Sequence, residues 1–339
     1  MKINRPRYCM AILIVLMAVF AFLMESWANS YLLAIVCFSG INIILAVSLN
    51  LTNGFTGLFS LGHPAFMAIG GYTTAILTFS IEKKPLFMPD LPQWMAPLYL
   101  PFPPALLVGG LFAALVALII GISVLRLKGH YLAVATMGFL IIVQVLLNNT
   151  ESITRGPLGL NGLDNFTNLY WVAGWVIVTI YTCWKIKFSS LGRSLLAIRE
   201  DEMAAASLGV NPFYARIFAL TIGAFFAGIA GGLWAHLITA VTPGSFSLIM
   251  SFNIVVMVVV GGTGSITGSV LAAIFFTLII ECFRPIEENF GIYGIGEIVT
   301  SLILISILIF RPSGIFGTRE PDFVQGKHKP QQFQQRSTK

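Results

Sequence analysis

The sequence predicts an all-α membrane protein, a polytopic bundle of about ten transmembrane helices with one short helix outside the bilayer. Hydrophobic residues make up 57% of the 339 residues and charged residues 10%, well below the roughly 25% of charged residues in soluble domains. Two long stretches, 26–81 and 217–280, contain no Asp, Glu, Lys or Arg. Because a charge in the hydrocarbon core costs several kcal/mol, stretches without charge suit the interior of a bilayer.

Apolar runs of the length that crosses a bilayer define the predicted spans. They fall at about residues 9–28, 31–51, 62–80, 105–125, 130–148, 169–187, 215–240, 246–262, 267–283 and 296–311. An even count places both termini on one side of the membrane. Basic residues cluster at both termini, at 126–128 and at 185–216, whereas the acidic residues of 151–164 and 287–288 fall on the opposite side. By the positive-inside rule, both termini are expected in the cytoplasm.

The N-terminal run has features of a signal peptide, because a basic start precedes an apolar run and the small residues Ser26 and Ala28. We expect an uncleaved first helix, since cleavage would leave an odd number of spans; a cleaved signal peptide is the alternative. Residues 1–317 are expected to form the transmembrane domain. Residues 318–339, rich in Gln, Lys and Pro, are expected to be a disordered cytoplasmic tail.

A compact charged loop, at about 188–213, separates the sixth and seventh predicted spans. Gly192 is expected to end the sixth span. Asp201 is the expected N-cap of a short new helix, with acidic neighbours near the positive end of its dipole. Gly209 can supply the left-handed residue that ends this helix. Two interpretations remain open: a docking surface for a partner in water, or a solvated loop whose charges only fix the topology.

Several kinds of chemistry have no motif in the sequence. No nucleotide-binding P-loop, zinc-protease or serine-hydrolase motif occurs, and the four cysteines have no spacing typical of a zinc site or a disulfide framework. We therefore predict no catalytic residue, no metal and no cofactor. The basic residues lie at the termini and in short loops, which indicates topology rather than nucleic-acid binding. Ionisable groups within the spans are few, so a solute pathway here would need an external motor.

A small set of polar residues lies inside or beside the predicted spans. The candidates for facing a pathway are Asn50, Asn53, Thr56, His63 and Gln144. Proline follows His63, so we expect the ring to satisfy a freed backbone carbonyl, with a solute contact as the alternative. The glycines at 54–57 and 261–268 mark either surface turns or unwound pathway segments. His236, close to Trp234, is expected to be an anchor at the membrane interface.

Small residues cluster in the seventh predicted span. Gly228 and Gly232 lie four residues apart, a spacing that lets another helix approach closely. We expect packing within the chain, with a subunit interface as the alternative.

Taken together, these segments resemble the LivM-type permease subunits of branched-chain amino acid ABC importers. The resemblance covers most of the chain and rests on residues 48–57, 60–72, 129–136, 154–160, 192–209, 224–232, 261–268 and 311–317. It implies a pathway for branched-chain, hydrophobic amino acids in the bacterial inner membrane. It also implies a second homologous permease subunit, two cytoplasmic ATP-binding subunits and a periplasmic or extracellular solute-binding protein as partners. A permease for urea or short amides and a stand-alone facilitator or channel are the alternatives.

The resemblance implies that the 192–209 loop is the coupling segment on which the ATPases dock. The expected docking residues are Arg193, Arg199, Glu200, Asp201, Glu202, Ala204, Ala205 and Gly209. The loop departs from the family's pattern, because Met203 stands where Ala directly follows Glu and the glycine comes one residue later.

Overall fold

Long helices account for most of the chain in the computed structural model, which describes residues 29–317 apart from 94, 128, 292–293 and 312–313. The expected first span at 9–28 and the expected tail at 318–339 lie outside the described residues. The helices, in chain order, are α1 (Ser30–Thr56), α2 (His63–Thr78), α3 (Lys84–Phe87), α4 (Phe102–Val124), α5 (His130–Asn149), α6 (Glu151–Thr154), α7 (Leu169–Lys187), α8 (Ser190–Glu200), α9 (Glu202–Ser207), α10 (Pro212–Ile238), α11 (Leu248–Gly261), α12 (Ile266–Phe290) and α13 (Ile295–Phe310).

Two very short strands join distant loops at one end of the bundle. Strand β1 (Leu160–Asn161) pairs antiparallel with β2 (Ala240–Val241), and Leu160 lies opposite Val241. Single 3-10 turns lie beside them at Gly156–Leu158 and Pro243–Ser245. This pairing fixes the loop before α7 against the loop after α10.

Polar caps set where several helices begin. The side chains of Ser189, Asp201, Asn211, Ser247 and Ser265 each accept a hydrogen bond from a backbone N–H in the first turn of the following helix. These N–H groups have no partner within the helix, so a side-chain oxygen at this position stabilises the helix end.

Seven helices of the described residues are long and apolar enough to cross a membrane, counting the 3-10 turn before α11 with that helix. The chain is therefore a multi-pass, largely helical membrane protein. Every predicted span from 31–51 onward overlaps a helix, although α2 and α13 have only 16 residues each. The count of about ten spans stays a prediction, because the first predicted span lies outside the described residues.

Helices α1 and α10 form the centre of the bundle. Helix α10 packs against α1, α2 and α4, and α1 also packs against α7, α11 and α12. Glycine makes the closest of these contacts possible: a Cβ on Gly228 would lie 2.7 Å from the Cβ of Ala113 in α4, and a Cβ on Gly70 in α2 would lie 2.2 Å from the Cα of Gly228. Gly228 and Gly232 are both buried and face neighbouring helices of the same chain.

Candidate functional site

The charged loop folds as two short helices rather than as an irregular connector. Helix α7 ends at Lys187, and α8 follows after two residues with Ser189 as its cap. Gly192 lies inside α8, so the expectation that it ends the sixth span is wrong. A Cβ at Gly192 would lie 2.1 Å from the backbone oxygen of Ile186, so glycine here lets α8 pack closely against the end of α7.

Helix α9 has the predicted start and end. The Oδ1 atom of Asp201 accepts hydrogen bonds from the backbone N–H of Met203 at 2.8 Å and of Ala204 at 3.0 Å, which confirms the predicted N-cap. Gly209 follows with φ of 85°, which confirms the predicted left-handed residue. The charged loop therefore presents a defined helix outside the predicted spans.

Helix α9 does not expose all of the residues predicted for docking. Ala205 is only 2% exposed and faces the chain's own core. The side chains that face outward include two large apolar ones, Met203 at 79% exposure and Leu208 at 83%. Sequence reasoning missed both, although two apolar residues in a charged loop outside the spans are themselves a signal of a covered surface. Ala204 and Ser207 lie beside them and are also exposed.

Apart from Asp201, the cap of α9, the predicted docking residues with charged side chains fall into three environments. Glu202 pairs with Arg216 at the start of α10, with 3.0 Å between its Oε2 and Nη2 of the arginine. Glu200 and Arg193 are exposed. Arg199 turns away from the water-facing side, as described next. The docking roles of these residues stay predictions.

Arg199 connects α8 to two loops of the membrane domain. Its Nη1 donates to the backbone oxygen of Gly54 at 2.7 Å and to that of Thr263 at 3.0 Å. Its Nη2 donates to the Thr263 hydroxyl at 3.3 Å. One side chain at the base of the charged loop therefore holds the end of α1 and the turn between α11 and α12.

The turn between α11 and α12 has two further buried attachments. The carboxamide of Asn50 accepts from the N–H of Gly264 at 2.8 Å and donates to the oxygen of Ser265 at 2.8 Å and the hydroxyl of Ser269 at 2.9 Å. The buried Lys187 donates to the oxygen of Gly264 at 2.5 Å. These contacts close the turn against α1 and α7.

The segment between α1 and α2, residues 57–62, is irregular backbone whose second half, 60–62, is buried in the bundle. The Ser251 hydroxyl donates to the oxygen of Leu61 at 2.6 Å. At 1.5 Å per residue, Ser251 lies about 15 Å along α11 from its end at Gly261. Asn53 and Ser60 exchange two hydrogen bonds, of 3.3 and 3.2 Å, that hold the segment. Irregular backbone at membrane depth is tolerated only where it is buried in protein or lines a cavity.

The remaining candidates for a pathway are each bonded within the chain. The ring of His63 is 2% exposed, and its Nε2 lies 2.8 Å from the Ser48 hydroxyl, so its partner is a side chain and not the expected backbone carbonyl. Thr56 donates to Thr52 of its own helix, and Gln144 donates to the oxygen of Phe246 at 2.7 Å. The five candidates do not meet in one cavity of the described structure.

His236 is not an interface anchor. It is fully buried, and its Nδ1 lies 2.8 Å from the oxygen of Asp164 while its Nε2 lies 2.9 Å from the Thr78 hydroxyl. The rings of Phe102 and Phe166 enclose it. The expectation is wrong because the loop before α7 covers this end of α10.

Comparison with known proteins gives the family. The family described as "Branched-chain amino acid transport system / permease component" matches residues 31–310. The permease protein LivM of the high-affinity branched-chain amino acid transport system of Escherichia coli (strain K12) is 33% identical over 315 residues, which cover 83% of this chain and 69% of that protein. No solved structure matches the chain.

More distant relatives have related names. The permease protein LivH of the same system in Escherichia coli (strain K12) is 24% identical over 308 residues, covering 83% of this chain and 92% of that protein. The autoinducer 2 import system permease protein LsrC of Yersinia pseudotuberculosis is 24% identical over 287 residues, covering 76% of each chain. With the family match over the helical bundle and the identity to LivM, the chain belongs to the family of branched-chain amino acid transport system permease components.

Proposed function

We propose that this chain is one of two transmembrane subunits that together form the translocation pathway of an ABC importer for branched-chain amino acids. Separate ATP-binding subunits dock from the cytoplasm on the water-exposed side of α9. An external solute-binding protein delivers the amino acid. The chain itself performs no covalent chemistry. The 33% sequence identity of the chain to LivM and the exposed apolar side chains of Met203 and Leu208 support this assignment.

The observation that carries the proposal is the exposure of Met203 in the capped helix α9 and of Leu208, the residue that follows it, outside the predicted spans. Large apolar side chains on a water-facing helix are the anchors that a partner's groove buries. The exposed Ala204 and Ser207 between them are small enough for such a groove to close over the helix. The acidic Glu200 and Asp201 lie at the same end and add polar contacts at the rim.

Movement of α9 has a physical route into the membrane domain. Helix α8 joins α9 directly and packs against α1 and α10. Arg199, the penultimate residue of α8, holds the oxygens of Gly54 and Thr263. Displacement of the docked helix by an ATPase therefore pulls on the last turn of α1 and on the turn between α11 and α12.

The proposal includes the arrangement in the cell. Residues 1–317 form the transmembrane domain in the bacterial inner membrane, the loop at 188–213 faces the cytoplasm, and 318–339 form a cytoplasmic tail. The basic residues of both termini and of the charged loop support this orientation.

The test replaces both apolar anchors with glutamate, as Met203→Glu with Leu208→Glu, in a complex of the permease subunits and their ATP-binding subunits. We expect the ATP-binding subunits to dissociate during purification and uptake of labelled leucine to stop. Leu158→Glu is the matched control, because Leu158 is 69% exposed at the opposite end of the bundle; it should leave ATPase attachment unchanged.

Three results would contradict the proposal. Unchanged attachment in the double variant would exclude α9 as the docking surface. Uptake of labelled urea but not of leucine by the wild-type complex would favour the urea or amide permease. Leucine uptake by the chain without any ATP-binding subunit would favour a facilitator.

A further inference from the structure

A cavity lies between the irregular segment 57–62, α8 and α11. Its volume is about 230 Å³, and it is lined by Asn53, Phe59, Arg199, Val258, Val259 and Thr263 among others. This volume is below the roughly 300–1,000 Å³ typical of sites for drug-sized ligands, which favours a small solute. Phe59 forms its rim and is 46% exposed.

The lining of the cavity combines one cation with apolar side chains. The valines of α11, with Leu58 and Phe59, supply the apolar surface. Arg199 supplies the charge, and the described residues that line the cavity include no carboxylate. A cation beside apolar walls matches a ligand with a carboxylate at one end and an aliphatic group at the other.

The guanidinium keeps donors for such a ligand. Its Nη1 hydrogens go to Gly54 and Thr263, and one Nη2 hydrogen goes to the Thr263 hydroxyl. Within the described part of the chain, no residue accepts from Nε or from the second Nη2 hydrogen. In a guanidinium, Nε and the neighbouring Nη form an edge that can bind a carboxylate with two parallel hydrogen bonds.

We propose that this cavity is a binding site for the transported amino acid at the inner end of the pathway, with the carboxylate on Arg199 and the aliphatic side chain against Val258, Val259 and Phe59. The inference deepens the proposed function and rests on it for the identity of the solute. Because the same guanidinium holds Gly54 and Thr263, the bound carboxylate and the docked ATPase act on one side chain.

The exposed face of α11 next to the cavity supports a route by which the amino acid reaches the cavity. Ile249 and Phe252 are exposed and Val256 is half-buried. Asn253, near the middle of this span, makes no hydrogen bond to any residue in the described ranges, although it is partly exposed. A carboxamide facing lipid without a partner is unfavourable, so this face suits a polar pathway between two subunits.

The test measures binding of labelled leucine to the purified complex of permease and ATP-binding subunits, without the solute-binding protein. Unlabelled leucine should compete, whereas leucine amide, which lacks the carboxylate, and glycine, which lacks the aliphatic group, should compete at least about tenfold less well. Val259→Phe narrows the cavity, and it should weaken leucine binding about tenfold while the complex still assembles.

Val108→Phe is the matched control, because Val108 lies on the outward face of α4 and is 39% exposed; it should bind leucine as the wild type does. Should Val259→Phe fail to assemble, Phe59→Ala decides, since truncation at an exposed rim introduces no overpacking. Equal competition by leucine amide, or unchanged binding in the cavity variants, would overturn the site even where the complex still transports leucine. A wild-type complex that takes up no leucine would instead contradict the proposed function.

Discussion

The guanidinium of Arg199 donates a hydrogen bond to the backbone oxygen of Gly54 at 2.7 Å, and so joins the end of α8 to the last turn of α1. The same Nη1 reaches the oxygen of Thr263 at 3.0 Å. The planar fork of the guanidinium spreads its donors over separate nitrogens, so that Nη1 serves the two carbonyls while Nη2 serves the Thr263 hydroxyl. The contact links the charged loop with the end of α1 and with the turn between α11 and α12, beside the cavity.

Replacing Arg199 with lysine should therefore keep the positive charge and lose the link. Lysine ends in one ammonium on a shorter side chain, so it has no second nitrogen for the Thr263 hydroxyl and cannot reproduce the planar fork. We expect Arg199→Lys to assemble with the ATP-binding subunits and to hydrolyse ATP, with leucine uptake reduced at least about tenfold relative to hydrolysis. The measurement is the ratio of labelled leucine transported to phosphate released in reconstituted vesicles.

Arg193→Lys is the control for this experiment. Arg193 is exposed on α8, and its side chain makes a weak local hydrogen bond, with Nη1 3.5 Å from the backbone oxygen of Phe188. The ratio of transport to hydrolysis should stay at the wild-type value. An equal fall of this ratio in both variants would show that the fork of Arg199 has no special part in coupling.

Asn50 should matter for stability more than any exposed asparagine of the bundle. Leucine at this position removes the acceptor of the buried Gly264 N–H and one donor each from the oxygen of Ser265 and the Ser269 hydroxyl, which remain bonded to each other. Losing the partner of a buried polar group costs about 1–3 kcal/mol. We expect Asn50→Leu to lower the temperature at which the detergent-solubilised protein aggregates.

Asn149→Leu is the matched comparison, because Asn149 is exposed and donates only to Val145 of its own helix. Its aggregation temperature should equal that of the wild type. If Asn50→Leu is as stable as Asn149→Leu, the turn between α11 and α12 is held by its other attachments alone.

Apolar run length sufficed to place the long helices of the described residues, whereas the direction of individual side chains did not follow from the sequence. The N-cap at Asp201 and the left-handed Gly209 were predictable, because both depend on a few consecutive residues. The burial of Ala205 and the reach of Arg199 to Gly54 depend on how α8 docks against α1, across 145 residues of sequence. The prediction that Gly192 ends the sixth span was wrong for the same reason. The glycine lacks a side chain because α8 packs closely against the end of α7, and not because a helix ends there.

Lys84 should make the stability of the loop before α4 depend on pH. This lysine is 2% exposed and donates to the backbone oxygens of Met95 and Leu98, and burial lowers its pKa below the usual value. Between the lowered pKa and about 10.4, the unfolded chain binds a proton that the folded chain does not. The free energy of unfolding should therefore rise with pH within this window and stay flat with respect to this group below it.

The measurement is protection of the 80–100 loop from proteolysis as the pH is raised toward 10. Lys84→Met removes the titrating group, so this variant should lose the part of the pH dependence that comes from Lys84. Lys83→Met is the control, because Lys83 is an exposed partner of Asp164 at 2.8 Å. A pH profile that is identical in Lys84→Met and the wild type would assign the dependence to other groups.

Gly228 should not accommodate a side chain without cost, because α4 approaches it closely. A Cβ there would lie 2.7 Å from the Cβ of Ala113 and 3.0 Å from the Cα of Gly110. Gly138 in α5 offers the matched position, since a Cβ built on it meets no atom within 4 Å. Gly228→Ala should destabilise the solubilised protein by about 1–3 kcal/mol through overpacking, whereas Gly138→Ala should leave its stability unchanged or raise it by about 0.5–1 kcal/mol through helix propensity. Equal stability of the two variants in the same aggregation assay would mean that α4 can shift away from α10, and that the close contact is not required for the fold.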